Sequence, residues 1–191
     1  MAILFFDTET TGVPRNYRAP ISDLSNWPRI VQIAWLLTDS LGNTVEEAQY
    51  IIRPDGFTIP AGATAVHGIT TRQAIEQGES LHQVVLSFKE AVLQADRLVA
   101  HNIEFDEKVI GAEILRLGLS NEIELKPRDC TMQASTNYCK LPGPYGFKWP
   151  KLEELYHILF NHGFGNAHQA LVDVRACARC FFEMRRLGII S

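Results

Sequence analysis

The sequence predicts an α/β fold: a mixed sheet of about five strands, the first three forming a meander, with helices on both faces. Three observations predict it. Residues 2–6 are a short continuous apolar run, as expected of a buried central strand. Residues 29–38 (RIVQIAWLLT) and 45–53 are rich in β-branched and aromatic side chains, and the turn signal Ser40-Leu41-Gly42-Asn43 separates them. From Ala61 the pattern becomes helical, broken by the strand-like segments 97–100 and 127–129.

Taken in order, short helical pieces are expected near 61–66 and 71–77. A longer amphipathic helix follows over 81–94, with Ser80 as its N-cap. The strand 97–100 (RLVA) leads into a helix over 103–117, which Gly118 stops. After the brief strand at 127–129 a helix starts at Thr131. Residues 138–150 carry three prolines and two glycines and read as a loop. Helices over 151–160 and 171–187 complete the chain. No linker composition appears, so residues 1–191 are expected to form one domain.

Composition narrows the class. A chain of 191 residues with 46% hydrophobic content can bury one sizeable core. The apolar opening has no basic flank and runs directly into Asp7 and Glu9, unlike a signal peptide. No stretch approaches the roughly 18–20 apolar residues of a membrane span, so a cytoplasmic protein is expected. Cys177 and Cys180 have metal-like spacing, yet with Asp173 they fall at i, i+4 and i+7 on one helix face, where small apolar thiols are the simpler reading. A net charge of −4 disfavours a binder of long duplexes. It disfavours less an enzyme that grips a few terminal nucleotides through metal ions.

Four acids and one histidine carry the chemistry. Asp7 and Glu9, two apart on a strand, leave the same face of the sheet. Held ~4 Å apart, two such charges repel by roughly 4 kcal/mol at an effective dielectric near 20, and a divalent cation removes that penalty. A solvated strand end is the alternative. Asp106 follows a strand, in the first turn of the next helix, where open α/β sheets carry binding residues; the helix dipole alone also favours an acid there. His168 and Asp173 are five apart and cannot share a helix face. His168 is therefore placed in the loop before the last helix, reaching over a site whose floor includes Asp173. Together these groups supply the ligands and proton acceptor of two-metal phosphodiester hydrolysis.

Asp7-Thr8-Glu9-Thr10-Thr11-Gly12, His101-Asn102-x-x-Phe105-Asp106 and His168-x-Ala170-x-x-Asp173, in this order, resemble the three motifs of the DnaQ-like (DEDDh) 3′→5′ exonucleases. That family includes the proofreading epsilon subunit of bacterial DNA polymerase III. The resemblance runs from about residue 3 to residue 182 and implies an RNase H-like fold with residues 2–6 at the sheet centre. It assigns Asp7, Glu9, Asp106 and Asp173 to two divalent cations, Mg²⁺ or Mn²⁺, and His168 to general-base work on the attacking water. The expected reaction removes nucleoside 5′-monophosphates from single-stranded 3′ ends, DNA favoured over RNA. A DNA polymerase or repair protein is the expected class of partner, although no docking extension is evident and a stand-alone enzyme is favoured.

Subsidiary contacts follow, that of His67 on the same resemblance and the others from their positions. His67, in His67-Gly68-Ile69-Thr70, would lie beside the terminal nucleotide, with a surface turn as the alternative. Thr8 and Thr11 would hold the terminal sugar. Phe105 would pack on the terminal base or in the core, and Asn102 would bind substrate or cap a helix. Lys148 and Lys151 flank Trp149-Pro150, where they would steer phosphates or cap and solvate the next helix. Two long connections, 14–28 and 138–150, exceed what the motifs require and are expected to shape the mouth of the site. The competing readings are an RNA-trimming or short-oligonucleotide hydrolase on the same fold, a catalytically idle nucleic-acid-binding module, and an interaction domain organised by cysteine-bound zinc.

Overall fold

The computed structural model describes residues 1–165 and 169–190. Its main sheet consists of β1 (Ile3–Thr10), β2 (Ile30–Thr38), β3 (Thr44–Ile51), β4 (Arg97–Ala100) and β5 (Arg128–Cys130), in the spatial order β3-β2-β1-β4-β5. β1 pairs antiparallel with β2, and β2 with β3, which is the expected meander. β1 pairs parallel with β4, and β4 with β5, so the sheet is mixed and β1 is its middle strand.

β1 is longer than its apolar run. Beyond Phe6, residues Asp7, Thr8 and Glu9 stay in register with Ala34, Ile33 and Gln32 of β2, and after a register shift Thr10 pairs with Ile30. The backbone ladder, not side-chain apolarity, decides where the strand ends. This places four polar residues on a strand whose first half is fully buried.

Because side chains alternate across a strand, β1 serves two layers. Ile3 and Phe5 pack with Ala34 and Leu36 against Val174, Cys177, Ala178 and Phe181 of the last helix, α7 (Ala170–Arg186). The α-helices before it are α1 (Ala61–His67), α2 (Thr71–Gln77), α3 (Leu81–Gln94), α4 (Ile103–Arg116), α5 (Thr131–Cys139) and α6 (Leu152–Phe160). Leu4 and Phe6 point the other way, into a cluster with Ile33, Trp35, Val84 and Phe88 of α3, and Val109 and Ile110 of α4. Edge-to-face ring pairs mark both layers: Phe5–Phe181 at 5.3 Å and Phe6–Phe88 at 5.5 Å.

Ser80 occupies the N-cap position of α3 as expected, but its side chain makes no capping bond. Gly118 sits just past α4 with φ of 68°, a left-handed stop that favours glycine. Residues 138–150 are not wholly loop. Residues 138–139 finish α5, and β6 (Pro142–Gly143) and β7 (Gly146–Phe147) form a small hairpin joined by Pro144-Tyr145. A two-residue connection with Gly146 at φ 119° closes it, a turn signal that the proline content masked.

Cys177 and Cys180 are buried in separate apolar clusters, and the Cys177 sulfur lies 3.6 Å from the Thr131 hydroxyl. Burial pushes the Cys180 thiol up to about 12, which disfavours the thiolate that zinc needs. No helix among the described residues is long and apolar enough to cross a membrane.

The connection after β1 is fastened to α4. Glu113, fully buried, accepts from the Arg29 guanidinium at 2.8 Å and the Ile30 N–H at 3.0 Å, and pairs with Arg116 at 3.2 Å. Arg116 donates onward to the carbonyls of Leu24 (2.6 Å) and Trp27 (2.8 Å). Lys108 donates to the Tyr17 carbonyl at 2.8 Å. Three charged residues of one helix thus hold the long loop in place.

Candidate functional site

The alternation along β1 builds the site. Asp7 and Glu9 continue the face of Ile3 and Phe5, so they point toward α7, whose first turn carries Asp173. Carboxylate oxygens of Asp7, Glu9 and Asp173 all lie within 4.8 Å of one another. Oxygen ligands ~2.0–2.6 Å from a hard cation are spaced no wider than roughly 4–5 Å, so one divalent ion can touch all three. Every donor atom in this group is a carboxylate oxygen, which suits Mg²⁺ or Mn²⁺ better than a thiophilic metal.

Thr8 points the other way, toward α4, and meets Asp106. The Asp106 Oδ1 accepts from the Thr8 N–H at 3.0 Å and from the Thr8 hydroxyl at 2.7 Å. Asp106 is buried and stands just outside the group of three. The acids thus reach one another from both faces of β1, near its carboxyl end.

Their electrostatics are strained. Burial, and then the charges of Asp106, Asp173 and Glu9, hold the Asp7 carboxyl well above the usual carboxylate range. Burial and the charges of Asp173 and Asp106 push Glu9 up to about 8. Burial raises Asp106 to about 7, against the opposing pull of the two Thr8 hydrogen bonds. A site that resists carrying its own negative charge is one that a cation relieves.

Some of the other expected residues stay with the acids and some do not. His168 lies outside the described residues. Thr8 is buried, and its hydroxyl serves Asp106. Thr11 is tied to Arg29, donating its N–H to the Arg29 carbonyl at 2.9 Å and accepting the Arg29 N–H on its hydroxyl at 3.0 Å. His67 is buried, not on a surface turn; its Nδ1 accepts from the Ile69 N–H at 3.1 Å, and desolvation lowers its pKa. It lines a separate cavity of about 320 Å³ with Gln32, Gln49, Gln73 and Gln169. Asn102 occupies the N-cap position of α4 in a left-handed conformation, with φ of 72°, but its side chain makes no capping bond. Phe105 is half-buried against the core, its ring 6.5 Å from that of Tyr17. Lys148 pairs with Glu154 at 2.5 Å, which together with the Glu154 bond to the Lys151 N–H fastens the start of α6.

Asp7 and Asp173 open into a cavity of about 390 Å³ that His101, Asn102, Met132 and Trp149 also line. His101 stands in the second motif but was given no role from the sequence. Its Nδ1 lies 3.0 Å from the Thr131 hydroxyl and its Nε2 3.0 Å from the Pro150 carbonyl. A carbonyl only accepts, so Nε2 carries the proton. Burial lowers this imidazole to about 4, so it is a neutral clip between β4 and the segment before α6. Gln32 was also missed. It is the one amide in the apolar run of β2, lies opposite Glu9, and its Oε1 accepts the Ala170 N–H at 3.1 Å. That bond ties the start of α7, and with it Asp173, to the sheet.

Comparison with known proteins agrees with this geometry. The sequence model of the RNase T exonuclease family matches residues 4–181. An uncharacterized exonuclease, CP81 of Escherichia phage 186, is 31% identical over 179 residues, covering 90% of this chain and 82% of that protein. Among solved structures, Escherichia coli exonuclease I in complex with a dT13 oligonucleotide superposes with a TM-score of 0.76 at 22% identity, over 98% of this chain and 42% of that one. Exonuclease I from Methylocaldum szegediense gives 0.75 at 23% identity, over 97% and 40%. These are likenesses of fold, and this chain spans less than half the length of either structure. They bear out the RNase H-like sheet expected from the motifs. A family match across nearly the whole chain and a relative at 31% identity together establish that the protein belongs to the RNase T family of exonucleases.

Proposed function

We propose that the protein is a metal-dependent 3′→5′ exonuclease that hydrolyses terminal phosphodiester bonds of single-stranded DNA and releases nucleoside 5′-monophosphates. The convergence of Asp7, Glu9 and Asp173 within 4.8 Å, with Asp106 beside them, is the observation that carries this reading. Asp7, Glu9, Asp106 and Asp173 would hold two divalent cations, Mg²⁺ or Mn²⁺. When bound, such ions neutralise charge developing on a phosphate and make water easier to ionise.

The protein's own groups do the positioning. Thr8 orients Asp106 through two bonds to one oxygen. Gln32 holds the start of α7 and so sets the height of Asp173. His168, two residues before Ala170, is the proposed proton acceptor; an ordinary imidazole near 6.5 suits that task at neutral pH. Solved structures of exonuclease I with single-stranded DNA support DNA as the substrate class.

The test follows a 5′-labelled single-stranded DNA and its RNA counterpart with Mg²⁺, Mn²⁺ or EDTA, using Asp7→Ala as control. A metal-dependent ladder that shortens from the unlabelled end, absent in the variant, establishes the reading. Immediate release of labelled mononucleotide reverses the polarity. A folded protein that leaves the DNA intact with either metal refutes the reading.

A further inference from the structure

The cavity at the carboxylates adjoins a second one of about 470 Å³, with which it shares Asn102, Met132 and Trp149. Three segments far apart in sequence line the second cavity. Tyr17 and Arg18 come from the connection after β1, Phe105 from α4, and Trp149 from the segment that follows the hairpin. Tyr17 is 52% exposed and Trp149 62% exposed, so neither ring is used by the core. The hairpin adds two more open rings at every second position before Trp149: Tyr145, fully exposed, and Phe147.

The basic groups are divided. Lys108 is committed to the Tyr17 carbonyl and Glu104, and sits over the Trp27 ring at 5.5 Å. The Arg18 guanidinium makes no hydrogen bond or ion pair among the described residues; only its backbone N–H is used, toward Asn16. An unpaired cation among exposed rings, on a cavity that shares a wall with the one at the carboxylates, matches a ligand with flat apolar faces and an anionic backbone. A peptide would answer the rings but not the carboxylates next door, and a duplex hides its base faces in its own stack.

We propose that this second cavity is the track for the nucleotides upstream of the scissile bond of single-stranded DNA, with bases stacked on Tyr17, Phe105 and Trp149 and a phosphate met by Arg18. The assignment rests on the exonuclease reading of the adjoining carboxylates. Stacking tolerates any base, so the track selects for strand length and single-strandedness and not for sequence.

Affinity against length tests it. Fluorescence anisotropy with labelled oligothymidylates of two and eight residues, in Ca²⁺, reads binding; mononucleotide release in Mn²⁺ reads turnover. Wild-type protein is expected to bind the octamer at least about tenfold tighter than the dimer, and Tyr17→Ala and Trp149→Ala each to lose most of that gain. Both side chains are exposed, so folding is spared, and circular dichroism checks it. A wild type without the length gain, or variants that keep it, overturns the track. A gain for octa-uridylate with none for the DNA overturns the choice of DNA. A length gain without mononucleotide release would refute the exonuclease reading while supporting a single-strand track.

Discussion

Thr8 gives both of its donors, the backbone N–H at 3.0 Å and the hydroxyl at 2.7 Å, to the same oxygen of Asp106. Those bonds favour the ionised form of a carboxyl that burial alone would neutralise. Thr8→Val keeps the shape and removes the stronger donor. Turnover should fall roughly 10- to 100-fold, the worth of a hydrogen bond to a charged group, while Thr8→Ser retains activity. Steady-state rates against metal concentration are the check, because weaker Asp106 ionisation also raises the metal required.

Asp7 is raised by burial and by three like-charged neighbours. Asp7→Asn should therefore stabilise the metal-free protein, raising its melting temperature by roughly 2–8 °C near pH 8.5. The same substitution should lower turnover on the order of 10³-fold and abolish the rise in melting temperature that Mg²⁺ produces. Thermal melts with and without metal show both effects. A metal-free variant less stable than wild type would contradict the electrostatic account.

Linkage fixes the pH dependence of the metal-free protein. Glu9 is raised from 4.5 to about 8 and Asp106 from 3.8 to about 7, so the folded state binds protons that the unfolded state releases. Their stabilising contribution is complete below the unfolded values and is lost as pH rises through the folded ones. His101 acts oppositely: lowered from 6.5 to about 4, it contributes above the unfolded value and is lost as pH falls. Above about pH 6.5 only the carboxylates operate. Melting temperature should fall from about pH 6.5 to about pH 8.5, and Mg²⁺ should restore it most at the higher pH, since the ligands bind deprotonated.

Glu113 anchors the connection after β1 from within the core, with Arg29, Arg116 and the Ile30 N–H around it. Glu113→Ala strands two arginine charges. It should cost about 3–5 kcal/mol, or roughly 6–20 °C in melting temperature, measured by calorimetry.

Gln32 is a positioning residue for α7. Gln32→Leu removes the acceptor of the Ala170 N–H in a buried setting. Hydrogen exchange at Ala170 should speed up about tenfold or more, and turnover should drop a few-fold without a change in the sheet amides.

The element order was legible because each segment carries one period. The helix over 81–94 and the strand over 97–100 appear with the expected bounds, and the meander follows from two β-branched runs split by a turn. The acids were legible as a set because carboxylates are conspicuous at the ends of apolar runs. The partners that hold them were not. Thr8 looks like any threonine in a strand until Asp106, 98 residues away, is folded against it. Gln32 breaks an otherwise apolar strand and was a usable signal, but its bond to Ala170 spans 138 residues. The hairpin at 142–147 was hidden because proline and glycine mark both loops and tight turns.

The two-faced use of β1 gives the strand an unequal tolerance to change. Substituting one residue alters one contact, whereas deleting a single residue between Ile3 and Phe6 would exchange every inward and outward assignment after it, if the amino end kept its pairing. Asp7 and Glu9 would turn toward α4, and Thr8 toward α7. In a library of β1 variants, length should be policed far more severely than composition, and the survivors of a deletion should carry a compensating insertion before Asp7.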